Sequence, residues 1–100
     1  MKVKVSKVVW TLQAREALNA ILDYRYSKIL SARKIVRKDI IDASKGVIFI
    51  DQFQQDEISP EYRRIIVRDY KLIYKAEKSI VYILNVVCTK AEKEKPSNTE

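Results

Sequence analysis

Arginine, lysine and tyrosine are the side chains of this chain best suited to chemistry, and they gather in one stretch. It reads Tyr62-Arg63-Arg64-Ile65-Ile66-Val67-Arg68-Asp69-Tyr70-Lys71-Leu72-Ile73-Tyr74. Cations held rigidly among apolar β-formers can meet a phosphate, a carboxylate or a protein surface in one fixed geometry. On RNA, Arg and Lys would grip the backbone and a Tyr would stack on a base. Cleavage by 2′-OH attack would also need a proton donor and acceptor. The chain has no His, so a Tyr, or a Lys whose pKa is depressed by crowded cations, would have to serve. Paired across to acids, the same residues would be no more than solvated strand positions.

Composition removes other chemistries. Zinc would need Cys/His clusters, and there is one Cys and no His. A phosphate-cradling turn needs several Gly, and there is one, Gly46. Serine or cysteine hydrolysis lacks its imidazole base. Asp51 with Asp56-Glu57, and Asp39 with Asp42, have oxygens for Mg²⁺, but a loop and a wet helix face make solvated surface the plainer interpretation. No metal and no cofactor is expected. Cys88 has no partner for a disulfide and lies in an apolar strand pattern, which fits a small buried hydrophobe in a reducing compartment. Lys2, Lys4 and Lys7 are not followed by the apolar run of a signal peptide. The apolar runs fall far short of the ~20 residues that span a bilayer, so a cytoplasmic protein is expected.

The formal charge of +7 is unevenly placed: residues 1–50 hold 11 Lys and Arg against 4 Asp and Glu, and residues 51–100 hold 9 against 9. A positive body favours polyanions or an acidic protein partner.

The elements that must position these residues follow from periodicity. One hundred residues, 47% of them hydrophobic, suffice for one domain with its own core. Val3, Val5 and Val9 among Lys2, Lys4 and Ser6 predict a strand over 2–10. Thr11 can cap a helix carried by Ala14, Ala17, Leu18, Ile21 and Leu22 to about Tyr26. Ser31 is the expected cap of a second helix with Ala32, Ile35, Val36, Ile40 and Ala43 as its apolar positions, ending at Gly46 in the left-handed position after the helix. Val47-Ile48-Phe49-Ile50 fits a short strand and 51–60 a loop. Strands are predicted over about 62–68 and 70–77, reversing near Arg68-Asp69. After a turn at Glu77-Lys78, a nearly continuous apolar strand covers Ile80–Val87. Residues 1–96 are expected to form a single domain and 97–100 a disordered tail. The fold class is α+β: an N-terminal strand, then an antiparallel helical hairpin packed on one face of a mostly antiparallel sheet of 3–5 strands.

Two helices cover one sheet face, so the other face is where function is expected. In the strand 70–77, Tyr70, Leu72, Tyr74 and Ala76 should meet the helices, with Lys71 and Lys75 pointing away. In the strand 62–68 both faces carry an Arg, and a single bulge would change the assignment. Arg63, Arg68 and Lys90, at strand ends, are expected to converge on the open face.

Two signatures resemble the RelE/ParE toxin superfamily of type II toxin–antitoxin modules. One is Trp10-Thr11-x-x-Ala14-x-x-x-Leu18-x-x-Ile21-x-x-Tyr24. The other runs from Tyr62-Arg63-Arg64 through Asp69-Tyr70-Lys71-Leu72-Ile73-Tyr74 to Ile80-Val81-Tyr82-Ile83-Leu84-Asn85-Val86-Val87. Each is loose, but their order and separation over residues 8–90 fit the superfamily. The resemblance implies a bacterial toxin neutralised by an acidic antitoxin protein that wraps along it, in a toxin–antitoxin hetero-oligomer without membrane contact. It implies one of two targets. RelE-like members cut mRNA on the ribosome, and here Arg64, Lys71 and Lys90 would face the scissile phosphate. ParE-like plasmid-stabilisation toxins inhibit DNA gyrase by binding it, and here Arg63, Arg64, Arg68, Lys75, Lys90 and Lys93 would form the contact. Nucleolytic members often place Arg after the Tyr at position 70. Lys71 stands there instead, and Lys lacks the bidentate fork to phosphate. The departure favours the ParE-like branch, with ribosome-dependent endoribonuclease as the alternative and an inactive basic remnant of the fold as a further one.

Overall fold

The structure is a computed structural model that describes residues 3–89. The expected tail, Lys90 and Lys93 lie outside the described residues. Six elements follow in order: β1 (Lys7–Trp10), α1 (Leu12–Tyr26), α2 (Leu30–Lys45), β2 (Arg63–Val67), β3 (Tyr70–Glu77) and β4 (Ile80–Cys88). The sheet order is β1-β4-β3-β2, with β1 parallel to β4 and the other neighbours antiparallel. This is the expected α+β layout, with a mixed four-stranded sheet.

Spacing explains which faces are buried. Ala14, Leu18 and Leu22, four residues apart, form the inner stripe of α1, and Val36, Ile40 and Ser44 that of α2. They meet Tyr70, Leu72 and Tyr74 of β3, and Val81, Ile83 and Val86 of β4. Each fully buried aliphatic side chain in this layer contributes about 1.5–3 kcal/mol by leaving water. The buried hydroxyl of Ser44 is satisfied: it accepts from Trp10 Nε1 at 3.0 Å and donates to the Ile41 carbonyl at 2.6 Å. Thr11 joins the layers, because its hydroxyl accepts from the Ala14 amide at 3.2 Å and donates to the Ile83 carbonyl at 2.8 Å. The α1 cap is thereby bonded to the central strand.

Four local expectations are corrected. The α2 helix begins before Ser31: Ile29 holds the cap position, with no side-chain bond to the first turn. Gly46 closes α2 at φ −82° with its amide bonded to the Ala43 carbonyl, so it is not left-handed. The left-handed positions are Arg68 (φ 53°) and Lys78 (φ 59°). Each is the first residue of a two-residue hairpin turn, where a positive φ matches the strand twist. The segment 47–50 contributes a single bridge, Phe49 with Lys4, because 3–5 turns aside to bond Ile48 and Ile50 rather than continuing β1.

Register settles the faces of β2. Directly opposed residues share a face, so Arg63, Ile65 and Val67 lie with Tyr74, Leu72 and Tyr70 on the helix side. Arg64 and Ile66 lie with Ile73 and Lys71 on the open side. The register of β3 with β4 jumps between Ile73 and Tyr74, whose partners are Asn85 and Ile83. The extra residue, Leu84, makes a bulge that changes which residues of β4 face outward.

Candidate functional site

The open face of the sheet is not bare. Residues 51–62 form a strap that folds back along β2: Gln55 bridges Arg63, the Arg64 amide bonds the Gln54 carbonyl at 3.0 Å, and the Asp56 amide bonds the Tyr62 carbonyl at 2.8 Å. Polar side chains also hold its start, where Gln52 Oε1 accepts from the Ile48 amide at 2.8 Å.

Asp56 is the centre of the strap. Only 3% exposed, it accepts the Ile58 and Ser59 amides on Oδ2 at 3.2 and 2.9 Å. Its Oδ1 lies 2.8 Å from Lys71 Nζ, a charge contact made outside the angular range of a hydrogen bond. The Lys71 ammonium holds the Asp56 carboxyl below the usual carboxylate range, against the upward pull of burial, and the Ser59 and Ile58 amides add to the lowering. Beside this pair is an open cavity of about 370 Å³, with Ile73, Leu84 and Val87 among the residues of its floor, Ile58 and Tyr62 on the strap side, and Asn85 at one edge. It is an apolar hollow with one neutralised ion pair in its wall.

The remaining sequence-predicted residues are dispersed, and each described one has a partner. Arg64 is on the open face, with Nη2 donating to Gln54 Oε1 at 3.1 Å and Nη1 3.9 Å from Glu57 Oε2. Lys75 is on the same face, 3.0 Å from Glu77 Oε2. Arg63 turns to the other side and donates from Nη1 to the Phe53 carbonyl at 2.7 Å. Arg68, at the hairpin turn, reaches back to α2 and grips Asp39 Oδ2 through Nε at 2.8 Å and Nη2 at 2.6 Å. The structure therefore brings Arg64, Lys71 and Lys75 to one face, and sends Arg63 and Arg68 elsewhere; Lys90 and Lys93 fall outside the described residues.

Tyr70 and Tyr74 are turned inward, as alternation along β3 implied, and each is 1% exposed beneath the helices. Burial pushes the Tyr70 hydroxyl well up, and its contact with the Tyr26 hydroxyl at 3.2 Å adds to this. Burial also raises Tyr74, whose hydroxyl donates to the Ile50 carbonyl at 3.1 Å. Cys88 is half-buried at the edge of the core, where Arg25 Nη1 approaches its sulfur at 3.1 Å.

Among the described residues no helix is long and apolar enough to cross a membrane. Asp39 and Asp42, weighed from sequence as a cation site, are taken by Arg68 and Lys38.

Sequence reasoning missed the strap's role. Asp56 drew notice only as a conceivable Mg²⁺ ligand, and the floor of the cavity drew none. The one local signal was the Asp-x-Ile-Ser order at 56–59, an acid placed to accept amides two and three residues on.

No family model matches the chain, and no curated protein matches it. Solved structures do. A chain of the chromosomal ParDE TA system from P. aeruginosa superposes with a TM-score of 0.67 at 18% identity, covering 85% of this chain and 96% of that one. A chain of the toxin–antitoxin complex RelBE2 from Mycobacterium tuberculosis superposes with a TM-score of 0.54 at 18% identity, covering 86% and 92%. The fold implied by the RelE/ParE resemblance is the fold this chain has.

Proposed function

We propose that the chain is the toxin of a toxin–antitoxin pair, with residues 1–96 as the toxin domain, and that it acts by binding a protein target, DNA gyrase, rather than by cutting RNA. An acidic antitoxin is its neutralising partner. The observation that carries this reading is the Lys71–Asp56 pair. A nuclease of this fold needs open-face cations free for a phosphate. Here the phosphate would have to displace a carboxylate that is 3% exposed and held by two amides. Removing one member of such a pair leaves an uncompensated buried charge, which is unfavourable by several kcal/mol. Arg64 is likewise engaged, and Tyr70 and Tyr74 are turned away from the open face. A partner protein asks less of the face: an apolar hollow rimmed by paired charges is the anatomy of a binding surface.

The test is induction of the chain alone in bacteria, followed by two assays on the purified protein. Growth arrest, loss of gyrase supercoiling and intact translated message are expected. Message cut within codons on the ribosome, abolished by Lys71→Ala, would replace this reading with the RelE-like one. No growth arrest would leave only a remnant of the fold.

A further inference from the structure

The excess positive charge lies on a surface remote from the strap. The inner stripe of α2 is Val36, Ile40 and Ser44. Arg33 on one flank pairs with Asp23 of α1, and Asp39 on the other with Arg68 of the hairpin turn. Lys34, Arg37, Lys38, Ile41 and Lys45 line one open hollow along α2, where Ile41 reaches the core and the four cations are exposed. From Lys34 to Lys45 the row is about 16 Å long at helical rise. Its one acid, Asp42, is already held by Lys38 at 2.8 Å. Lys34, Arg37 and Lys45 form no ion pair among the described residues. The described cations of β2 and β3 are matched by acids or carbonyls. Lys4, Lys7, Arg15, Lys28 and Lys78 form no ion pair among the described residues either but come from separate segments, so this row is where unspent cations stand together on one element.

We propose that the outer face of α2 binds the phosphodiester backbone of a nucleic-acid duplex, independently of the sheet face and without reading sequence. The chemistry favours a phosphate backbone over an acidic peptide. A peptide that orders on binding must bury apolar surface to offset its lost entropy, and beside these cations α2 offers it only two isoleucines, the half-buried Ile41 and the exposed Ile35. A duplex brings its charge already ordered, about one per 1.7 Å of axis, and gains by releasing condensed counterions. A straight helix edge carrying four cations suits that ligand. The row has little polar side chain besides cations to read a base edge, so the contact is to backbone.

The test is fluorescence anisotropy with the full chain and labelled duplexes of about 20 base pairs, one DNA and one RNA, between about 50 and 200 mM salt. With four cations engaged, the log–log salt slope is expected near −3.6, so affinity falls about 10²-fold over that range. The triple variant Lys34→Ala/Arg37→Ala/Lys45→Ala should flatten the slope to about −1, a change of roughly threefold over the same range. Those sites are exposed and alanine favours helix, so folding is retained and is checked by circular dichroism. Asp42→Asn should tighten binding. A control variant, Lys4→Ala/Lys7→Ala/Arg15→Ala, removes the same charge from outside α2 and should keep the steep slope. Binding to either duplex supports the proposal, and the arm that binds identifies the nucleic acid. An absence of binding at low salt, an equal flattening in the control variant, or polyglutamate competing as well as duplex at equal charge would each overturn it, the last in favour of an acidic protein.

Discussion

Asp56 shows how much one side chain can hold. It ties two strap amides and one sheet cation, and its neighbours Gln55 and Glu57 tie the strap to Arg63 and Arg64. Asp56→Ala should destabilise the protein by about 2–3 kcal/mol, the size expected when a charge-assisted bond is lost and partners are left unsatisfied. Lys71→Met alone should cost about as much, because the carboxylate then stays buried without its counter-charge. The double variant Asp56→Ala/Lys71→Met should be less destabilised than the sum of the two. Urea denaturation of all four proteins measures the coupling. Strict additivity would mean that the pair holds no structure and that Lys71 is free for a ligand, which would also weaken the protein-binding reading.

At the scale of elements, the helix starts separate what was legible in the sequence from what was not. Thr11 was legible because the capping side chain and the first apolar helical residue are neighbours in the chain. Thr11→Ala should cost about 1–2 kcal/mol, since it removes both the cap and the bond to Ile83 of β4. Thr11→Ser should recover most of it. Ser31 carries the same kind of signal and misleads, because the cap of α2 lies two residues earlier, on a bare Ile29. Ser31→Ala should therefore be neutral or slightly stabilising, by up to about 0.5 kcal/mol from helix propensity; denaturation midpoints of the three variants distinguish the cases. Alternation was enough to place Tyr70, Leu72 and Tyr74 under the helices, because that property belongs to β3 alone. The partners of β2 and the bulge at Leu84 belong to pairs of strands, so no local pattern announced them. The left-handed turn residues were missed for the opposite reason: Arg68 and Lys78 adopt a conformation that local chemistry assigns to Gly or Asn, and the hairpins on either side impose it. The candidate site was half legible, since Lys71 and its outward direction follow from alternation. Its partner Asp56, fifteen residues away in a loop, does not.

The whole molecule divides its charge unevenly: acids reach Arg64, Lys71 and Lys75 on the open face, while the outer row of α2 keeps most of its own. That division predicts a particular response to acid. The Asp56 carboxyl is held below its ordinary value by Lys71. A group whose folded pKa is depressed contributes stability above its unfolded value, about 3.9 for Asp, and loses it as pH falls through the folded one. The urea midpoint should therefore be level from about pH 5 to 8 and fall below about pH 4. Asp42 is lowered as well, by Lys38, but it is exposed and adds little. Protonating carboxylates also raises a net charge that is already +7, and the resulting self-repulsion should be relieved in part by added salt. Asp56→Asn separates the two effects. It removes the titrating pair and keeps the repulsion, so its midpoint should begin lower at neutral pH and fall less steeply in acid. Parallel curves for the two proteins would assign the acid loss to net charge alone and remove the Lys71–Asp56 pair from its account.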